Sequence, residues 1–455
     1  MASLSQAEVR PDPGAALWAR LADQRLRLRD TVSVHQHRYR GRLWFLLRDT
    51  LGRQQFRLSR SIYDLIARLD GRRTLAEALT LGVQPTEVPT ELMTTLTQLH
   101  AAGLLTSGSP GEVGPLIAQQ KLLRRRNRFA RWARLLSPRM PILDPDRLLC
   151  RLLPWLRRLF HPFALVAWLV LVAGAGVQSL MHWDALALYG AQRLDDPQSW
   201  LLLVCVYPLV KGLHELGHGI AARWAGAEVN EMGITLLVFL PVPYVDASAA
   251  SALESKHQRI LISAAGILVE LLLAALAMFA WLQLSDGLLR EVAFSVMLIG
   301  GVSTLLFNGN PLLRFDGYYV LSDTLEIPNL ATRAARYYGY LTRRYLLGTD
   351  TEAAPDNAPG ERRWLLFFGA ASTLYRLFIS IGIALFLIAV VPTLGVLMAA
   401  WLLVVQFLVP LVRQLRFLLF SPMLQGQRTR ALLVVGGVLG GMLVVLTLLP
   451  VPQST

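Results

Sequence analysis

Residues 199–222 read SWLLLVCVYPLVKGLHELGHGIAA. As a helix the stretch is long and apolar enough to cross a ~30 Å hydrocarbon core, which takes roughly 20 residues. Its second half nevertheless carries Lys211, His214, Glu215 and His218. Ionisable side chains are costly at membrane depth, and where they occur they mark a functional site by default. So the stretch says both that the chain enters a membrane and that chemistry sits inside the crossing.

The rest of the sequence repeats the first half of that message. Of the 455 residues 54% are hydrophobic, above the roughly 45–50% of soluble domains. Apolar runs at 163–182, 199–222, 259–284, 292–310, 364–391, 395–412 and 431–449 predict about seven spans. Around Pro392 the alternative to two spans is a hairpin. Arg is concentrated before 163 and in 223–258, 312–363 and 413–430, and is sparse in 183–198, 285–291 and the tail PVPQST. The positive-inside rule then puts the N-terminus and the basic loops in the cytoplasm and the C-terminus outside.

The net charge of +14 follows from the same flanking arginines, which favour anionic membrane lipids. No nucleic-acid motif accompanies it, so nucleic acid is not expected as a partner. The two cysteines, Cys150 and Cys205, form neither a disulfide framework nor a C-x-x-C metal pair. The N-terminus MASLSQAEVRPDPGAAL lacks an apolar signal core, so no cleaved signal peptide is expected.

The predicted fold class is mainly α: a polytopic helical membrane protein with a short membrane-associated β-element and an N-terminal α+β domain. After an extension over 1–29, residues 30–106 show β-type runs with turn signals at Arg40-Gly41 and Leu51-Gly52. Helices follow, with Ser59 and Thr74 as N-cap candidates, Ile62, Leu65, Ile66 and Leu69 on one face, and a third helix over about 88–102. Strands followed by helices suit a winged-helix-like module. Residues 107–162 form a basic linker whose Arg alternates with Leu, Trp and Phe, as in helices lying on a membrane face; the alternative is a solvated linker helix. The catalytic membrane core is placed at 163–320, a cytoplasmic loop at 321–363 and further transmembrane helices at 364–455. The run MGITLLVFLPVPYVD (232–246) is too short to span and is broken by Pro241 and Pro243. Such backbone at membrane depth is tolerated only against protein or a water-filled cavity, so a β-type or re-entrant element is expected.

His214 and His218 lie four apart, so on a helix both imidazoles reach one ion. In a His-Glu-x-x-His site the glutamate, here Glu215, is the base that takes a proton from the attacking water. Gly217 and Gly219 are read as leaving space beside the metal. A catalytic zinc needs a third protein ligand and an open position. Asp316, in FNGNPLLRFDGYY (307–319), is the candidate, at the end of the fourth predicted span. Lys211 stands one turn before His214, and either pairs with Glu270 or snorkels to a polar cavity.

These motifs resemble those of the site-2 protease family of intramembrane zinc metalloproteases. His214, Glu215 and His218 match its H-E-x-x-H; Asn308, Pro311, Asp316 and Gly317 match its N-x-x-P-x-x-x-x-D-G. The resemblance covers about 199–320. It implies Zn2+ as cofactor, Asp316 as third ligand and Glu215 as general base. It also implies that Asn308 holds the cleavage region, with Gly233, Ile234 and Thr235 of the substrate-facing β-element as substrate-binding residues. One departure stands out: AAGILVE (264–270) has Ile267 and Glu270 where many relatives have Pro and Asn.

Residues 30–106 resemble a PqqD-like domain, of the kind that recognises leader peptides. The pairing of the two modules resembles bacterial peptide zinc metalloproteases, many of which continue into a periplasmic HlyD-like adaptor. By that resemblance the membrane is the bacterial inner membrane, with the C-terminus periplasmic, and an adaptor is a separate chain or absent. The function expected is cleavage of a membrane-spanning or exported peptide. The rival reading is a non-proteolytic scaffold of an export or membrane-fusion assembly, with structural or vestigial zinc, working with a HlyD-like adaptor or transporter. A transporter proper finds no support in internal repeats.

Overall fold

The computed structural model describes residues 22–30, 32–49, 55–80, 95, 96, 98, 99, 104–107, 139–194, 196–229, 231–237, 240–346, 360–420 and 436. The chain divides into two compact units: Met1–Met140 with Thr235–Phe239 and Ser248–Ser255, and Pro141–Ile234 with Leu240–Ala247 and Lys256–Thr455.

In the first unit, strands β1 (Leu26–Leu28), β2 (Val32–Tyr39), β3 (Arg42–Asp49) and β4 (Gln55–Ser59) lead into helices α1 (Arg60–Ile66) and α2 (Leu75–Thr80), and then β5 (Leu105–Ser107). β2, β3 and β4 form an antiparallel meander; β5 pairs with β1. The β2–β3 hairpin turns on Arg40 and Gly41, with φ of 50° and 76°, the paired positive angles of a two-residue type I′ turn. Thr74 and Glu77 close a capping box at the head of α2: Thr74 Oγ1 accepts from the Glu77 N–H (3.2 Å) and Glu77 Oε2 from the Thr74 N–H (2.9 Å). Ser59 takes the N-cap position of α1, but its hydroxyl pairs with that of Ser61 rather than with a backbone N–H of the helix. Ile62, Leu65, Ile66 and Leu69 are all buried, in an apolar core with Leu26, Phe45, Leu47 and Leu58. The Leu51-Gly52 turn lies outside the described residues. Of the expected 88–102 helix only Thr95, Leu96, Gln98 and Leu99 are described, as helical.

The chain continues with β6 (Arg139–Leu143), within which the second unit begins at Pro141, and the amphipathic helix α3 (Asp146–Leu156). Leu149 is buried against Gly219, whereas Trp155 and Leu159 are 81% and 60% exposed. Arg-rich 121–136, the other expected interfacial stretch, lies outside the described residues.

The spans follow: α4 (Pro162–Met181), a short helix α5 (Trp183–Ala191) and α6 (Pro197–Trp224). Next come strands β7 (Met232–Leu237) and β8 (Leu240–Val245), α7 (Lys256–Gln283) and α8 (Leu288–Asn308). Short helices α9 (Asp316–Thr324) and α10 (Leu330–Leu341) precede α11 (Glu361–Val390), α12 (Pro392–Leu403) and α13 (Val409–Phe420). β6, β7 and β8 form one sheet, β7 in the middle, so the expected β-element at 232–246 is two strands.

Among the described residues six helices are long and apolar enough to span a membrane: α4, α6, α7, α8, α11 and the run Pro392–Arg413. The expected span at 431–449 lies outside the described residues. At Pro392 the chain breaks and folds back. A Cβ at Gly395 would lie 2.3 Å from the Ile388 nitrogen, so α12 runs hard against α11.

α6 starts at an Asp196 cap, whose carboxylate accepts from the N–H groups of Gln198 and Ser199 (3.1 Å each), with Pro197 at the first helical position. The most buried span is α7. It receives the Trp168 indole N–H of α4 on its Leu268 carbonyl (2.9 Å). Its Val269 packs against Gly217 of α6, and its Glu270 carbonyl against Gly300 of α8. Arg259 ties it to Asp323 of α9 (2.9 Å). Leu, Val and Phe side chains cover the outside, among them Phe163, Val170, Phe367, Phe378 and Leu397. In water such a surface is a liability; in lipid it is solvated.

Candidate metal centre

α6 presents His214 and His218 on one face, and Asp316 opens α9, eight residues beyond the end of α8 at Asn308. His214 Nε2, His218 Nε2 and Asp316 Oδ2 lie 3.1 Å from one another on all three sides. Donors about 2.05 Å from a tetrahedral zinc stand roughly 3.3 Å apart, so the triangle fits that ion with one position left open. One imidazole nitrogen from each histidine and one carboxylate oxygen are thus near enough to one another to hold a single cation. Among the described residues this is the one group of three His, Cys, Asp or Glu side chains within reach of a common ion.

The outer faces of the imidazoles are also occupied. His218 Nδ1 lies 2.7 Å from the Ile262 carbonyl, which requires the proton on Nδ1 and leaves Nε2 as the donor toward the ion. His214 Nδ1 lies 3.2 Å from Glu270 Oε1, an oblique contact; that nitrogen has no aligned acceptor among the described residues. Asn308 Nδ2 donates to Asp316 Oδ2 (3.0 Å).

Glu215 is half-buried beside the pair, and its Oε2 accepts from the Val245 N–H of β8 (2.9 Å). Glu215 therefore faces the end of the β-element. Gly233, Ile234 and Thr235 lie on β7; Gly233 is buried and the other two are half-buried.

Two expectations change. Gly217 and Gly219 do not leave room for the metal; they make room for protein. A Cβ on Gly217 would lie 2.8 Å from Val269 Cγ2, and one on Gly219 would lie 3.3 Å from Leu149. The residue that clears space at the centre is Gly266 of α7, where a Cβ would lie 2.2–2.5 Å from the His214 ring atoms. Its only sequence signal is its place in AAGILVE. Lys211, left between two partners by the sequence, pairs with Glu270.

The site lies well inside the helix bundle. His218 stands six residues before the last residue of α6, about 9 Å at ~1.5 Å per residue, and His214 about 15 Å.

Residues 201–453 match the model of "Peptidase family M50", a range that contains His214, Glu215, His218, Asn308 and Asp316. The chain is 27% identical over 145 residues to "Putative peptide zinc metalloprotease protein YydH" of Bacillus subtilis (strain 168), an alignment covering 31% of this chain and 55% of that protein. The chain thus spans about half the length of the curated relative it matches. No solved structure matches it at a significant level. With more than half of its residues inside the family's model, the chain belongs to peptidase family M50, the site-2 type of zinc metallopeptidase.

Proposed function

We propose that this chain is an intramembrane zinc endopeptidase that cleaves a membrane-spanning or exported peptide. The observation that carries the reading is the triangle of His214, His218 and Asp316 beside Glu215. His214, His218 and Asp316 hold the ion. Zinc, when bound, supplies a Lewis acid that polarises the scissile carbonyl and stabilises negative charge on its oxygen. Glu215 takes a proton from the attacking water as the C–O bond forms and hands it to the departing amine nitrogen as the C–N bond then breaks. A helical substrate exposes no free carbonyl, so the cleaved segment must be extended. The β7–β8 element, with Gly233, Ile234 and Thr235, supports an extended chain beside Glu215, and Asn308 steadies the third ligand.

The α+β domain, read as PqqD-like, binds the cytoplasmic part of the substrate. The arginine-rich loops support an N-terminus in the cytoplasm and a C-terminus on the opposite side; by the resemblance, the membrane is a bacterial inner membrane and that side is the periplasm. On the resemblance alone, a HlyD-like adaptor or a transporter is a further partner.

The test is Glu215→Gln in the full-length protein, co-expressed with candidate membrane and peptide substrates. Cleavage is expected to fall by at least ~1,000-fold while zinc, measured in the purified variant, stays at wild-type stoichiometry. Undiminished cleavage by the variant refutes the assignment.

A further inference from the structure

Deeper than the reactive groups lies a second set of charges that the proposed chemistry does not use. Lys211 and Glu270 stand at the midpoints of the 28-residue helices α6 and α7 and form an ion pair. Glu270 is 0% exposed. The attraction within a buried pair seldom exceeds what its two ions lose on leaving water, so such a pair is not retained for stability alone. At mid-bilayer depth, ionisable groups are kept for a function.

The two carboxylate oxygens divide their contacts. Oε1 meets Lys211 Nζ and faces His214 Nδ1 at 3.2 Å. Oε2 accepts from the Thr304 hydroxyl and lies 3.5 Å from Asn308 Nδ2. The same Asn308 amide donates to Asp316 Oδ2. One side chain of α7 therefore stands within 3.2 Å of His214 on α6, a charge contact rather than an aligned hydrogen bond, and reaches Asp316 on α9 through Asn308 of α8. The histidines differ in what lies behind them: a backbone carbonyl for His218, a carboxylate for His214. A carboxylate behind a ligating imidazole fixes its tautomer and ring orientation and strengthens it as a donor. Lys211 offsets the negative charge that this arrangement brings to membrane depth. Gly300 allows the approach, since a Cβ there would lie 2.6 Å from the Glu270 carbonyl.

We propose that Glu270, charge-balanced by Lys211, is a positioning residue of the metal centre, holding His214 with Nε2 toward the ion and, through Thr304 and Asn308, setting the place of Asp316. The proposal rests on the metal-centre reading above. It assigns a role to the position at which this chain departs from the asparagine of many relatives.

The experiment measures zinc affinity of the full-length protein in detergent, by competition with a chromophoric chelator, together with its thermal unfolding. Glu270→Gln keeps size and hydrogen bonding but removes the charge, and is expected to weaken zinc binding about 10–100-fold, with partial recovery in Glu270→Asp. In Lys211→Met/Glu270→Gln no charge is left unpaired, and the double variant is expected to bind zinc no worse than Glu270→Gln. A merely structural Glu270 would lower the unfolding temperature and leave zinc affinity alone. If wild type binds zinc and Glu270→Gln binds it within about 3-fold of wild type, the positioning role is overturned, the metal centre standing. If wild type binds no zinc, the metal reading falls, and this one with it. Should Glu270→Gln not fold, Thr304→Val, which deletes one donor to Glu270 and no charge, is expected to weaken zinc several-fold; unchanged affinity then overturns the proposal.

Discussion

Both units of this chain bury apolar side chains, but they differ in the polar groups kept inside and in what is turned outward. The N-terminal unit buries Leu26, Phe45, Leu47, Leu58, Leu65 and Leu75, and its one buried polar residue among those described is His37, whose Nε2 lies 3.1 Å from the Ala252 carbonyl. The membrane unit turns Leu, Val and Phe outward and buries His214, Arg259, Glu270, Ser295, Thr304, Asn308, Ser322, Glu361 and Ser372. Water explains the first: removing apolar surface from it is the main favourable term in folding. Lipid explains the second. An apolar side chain gains little by leaving one hydrocarbon environment for another, so helix association rests on close packing, small residues and polar links. Glycine at 217, 266 and 300 and the Glu270 network are those links.

Three substitutions can break or sharpen this contrast. Gly266→Ala places a methyl group where the His214 ring now lies; zinc affinity is expected to fall by at least ~1,000-fold, about 4 kcal/mol, in a chelator competition. Wild-type affinity in that variant would mean that close packing is not what sets the centre. Leu47→Ala opens a void in the apolar core of the N-terminal unit and is expected to cost about 2–5 kcal/mol in its unfolding, followed by tryptophan fluorescence or hydrogen exchange of β3. Zinc content should not change; a loss there would show that the units are not separable in stability. Gly41→Ala is the smallest change. With φ of 76° the turn opposes a side chain, and about 1 kcal/mol is expected in the same unfolding measurement.

What could be read from the sequence follows the same division. Spans are legible because their signal is local: six of the apolar runs are helices here. The His-Glu-x-x-His spacing is legible because four residues on a helix return to one face. Asp316 is 98 residues from His218, and only a second motif pointed to it. The backbone partners were hidden. The Ile262 carbonyl that fixes His218 and the Val245 N–H that holds Glu215 belong to no residue type, so no pattern of letters encodes them. Glu270 looked like a departure from a motif because the sequence does not show that it faces Lys211. The short helix α5 fell in a stretch expected to be only a loop, and the π-winding of Leu298–Asn308 was not anticipated.

The bond from Val245 to Glu215 has one more consequence. A backbone nitrogen has a single proton, and Val245 gives its proton to a side chain instead of to a neighbouring strand. Replacing Glu215 by alanine would strand that donor in a half-buried place, at about 1–3 kcal/mol, and loosen the end of β8 as well as removing the base. Glutamine keeps an oxygen for the same N–H. The two substitutions therefore ask different questions of one residue: alanine removes a reactant and a fastening together, and only glutamine removes the reactant alone.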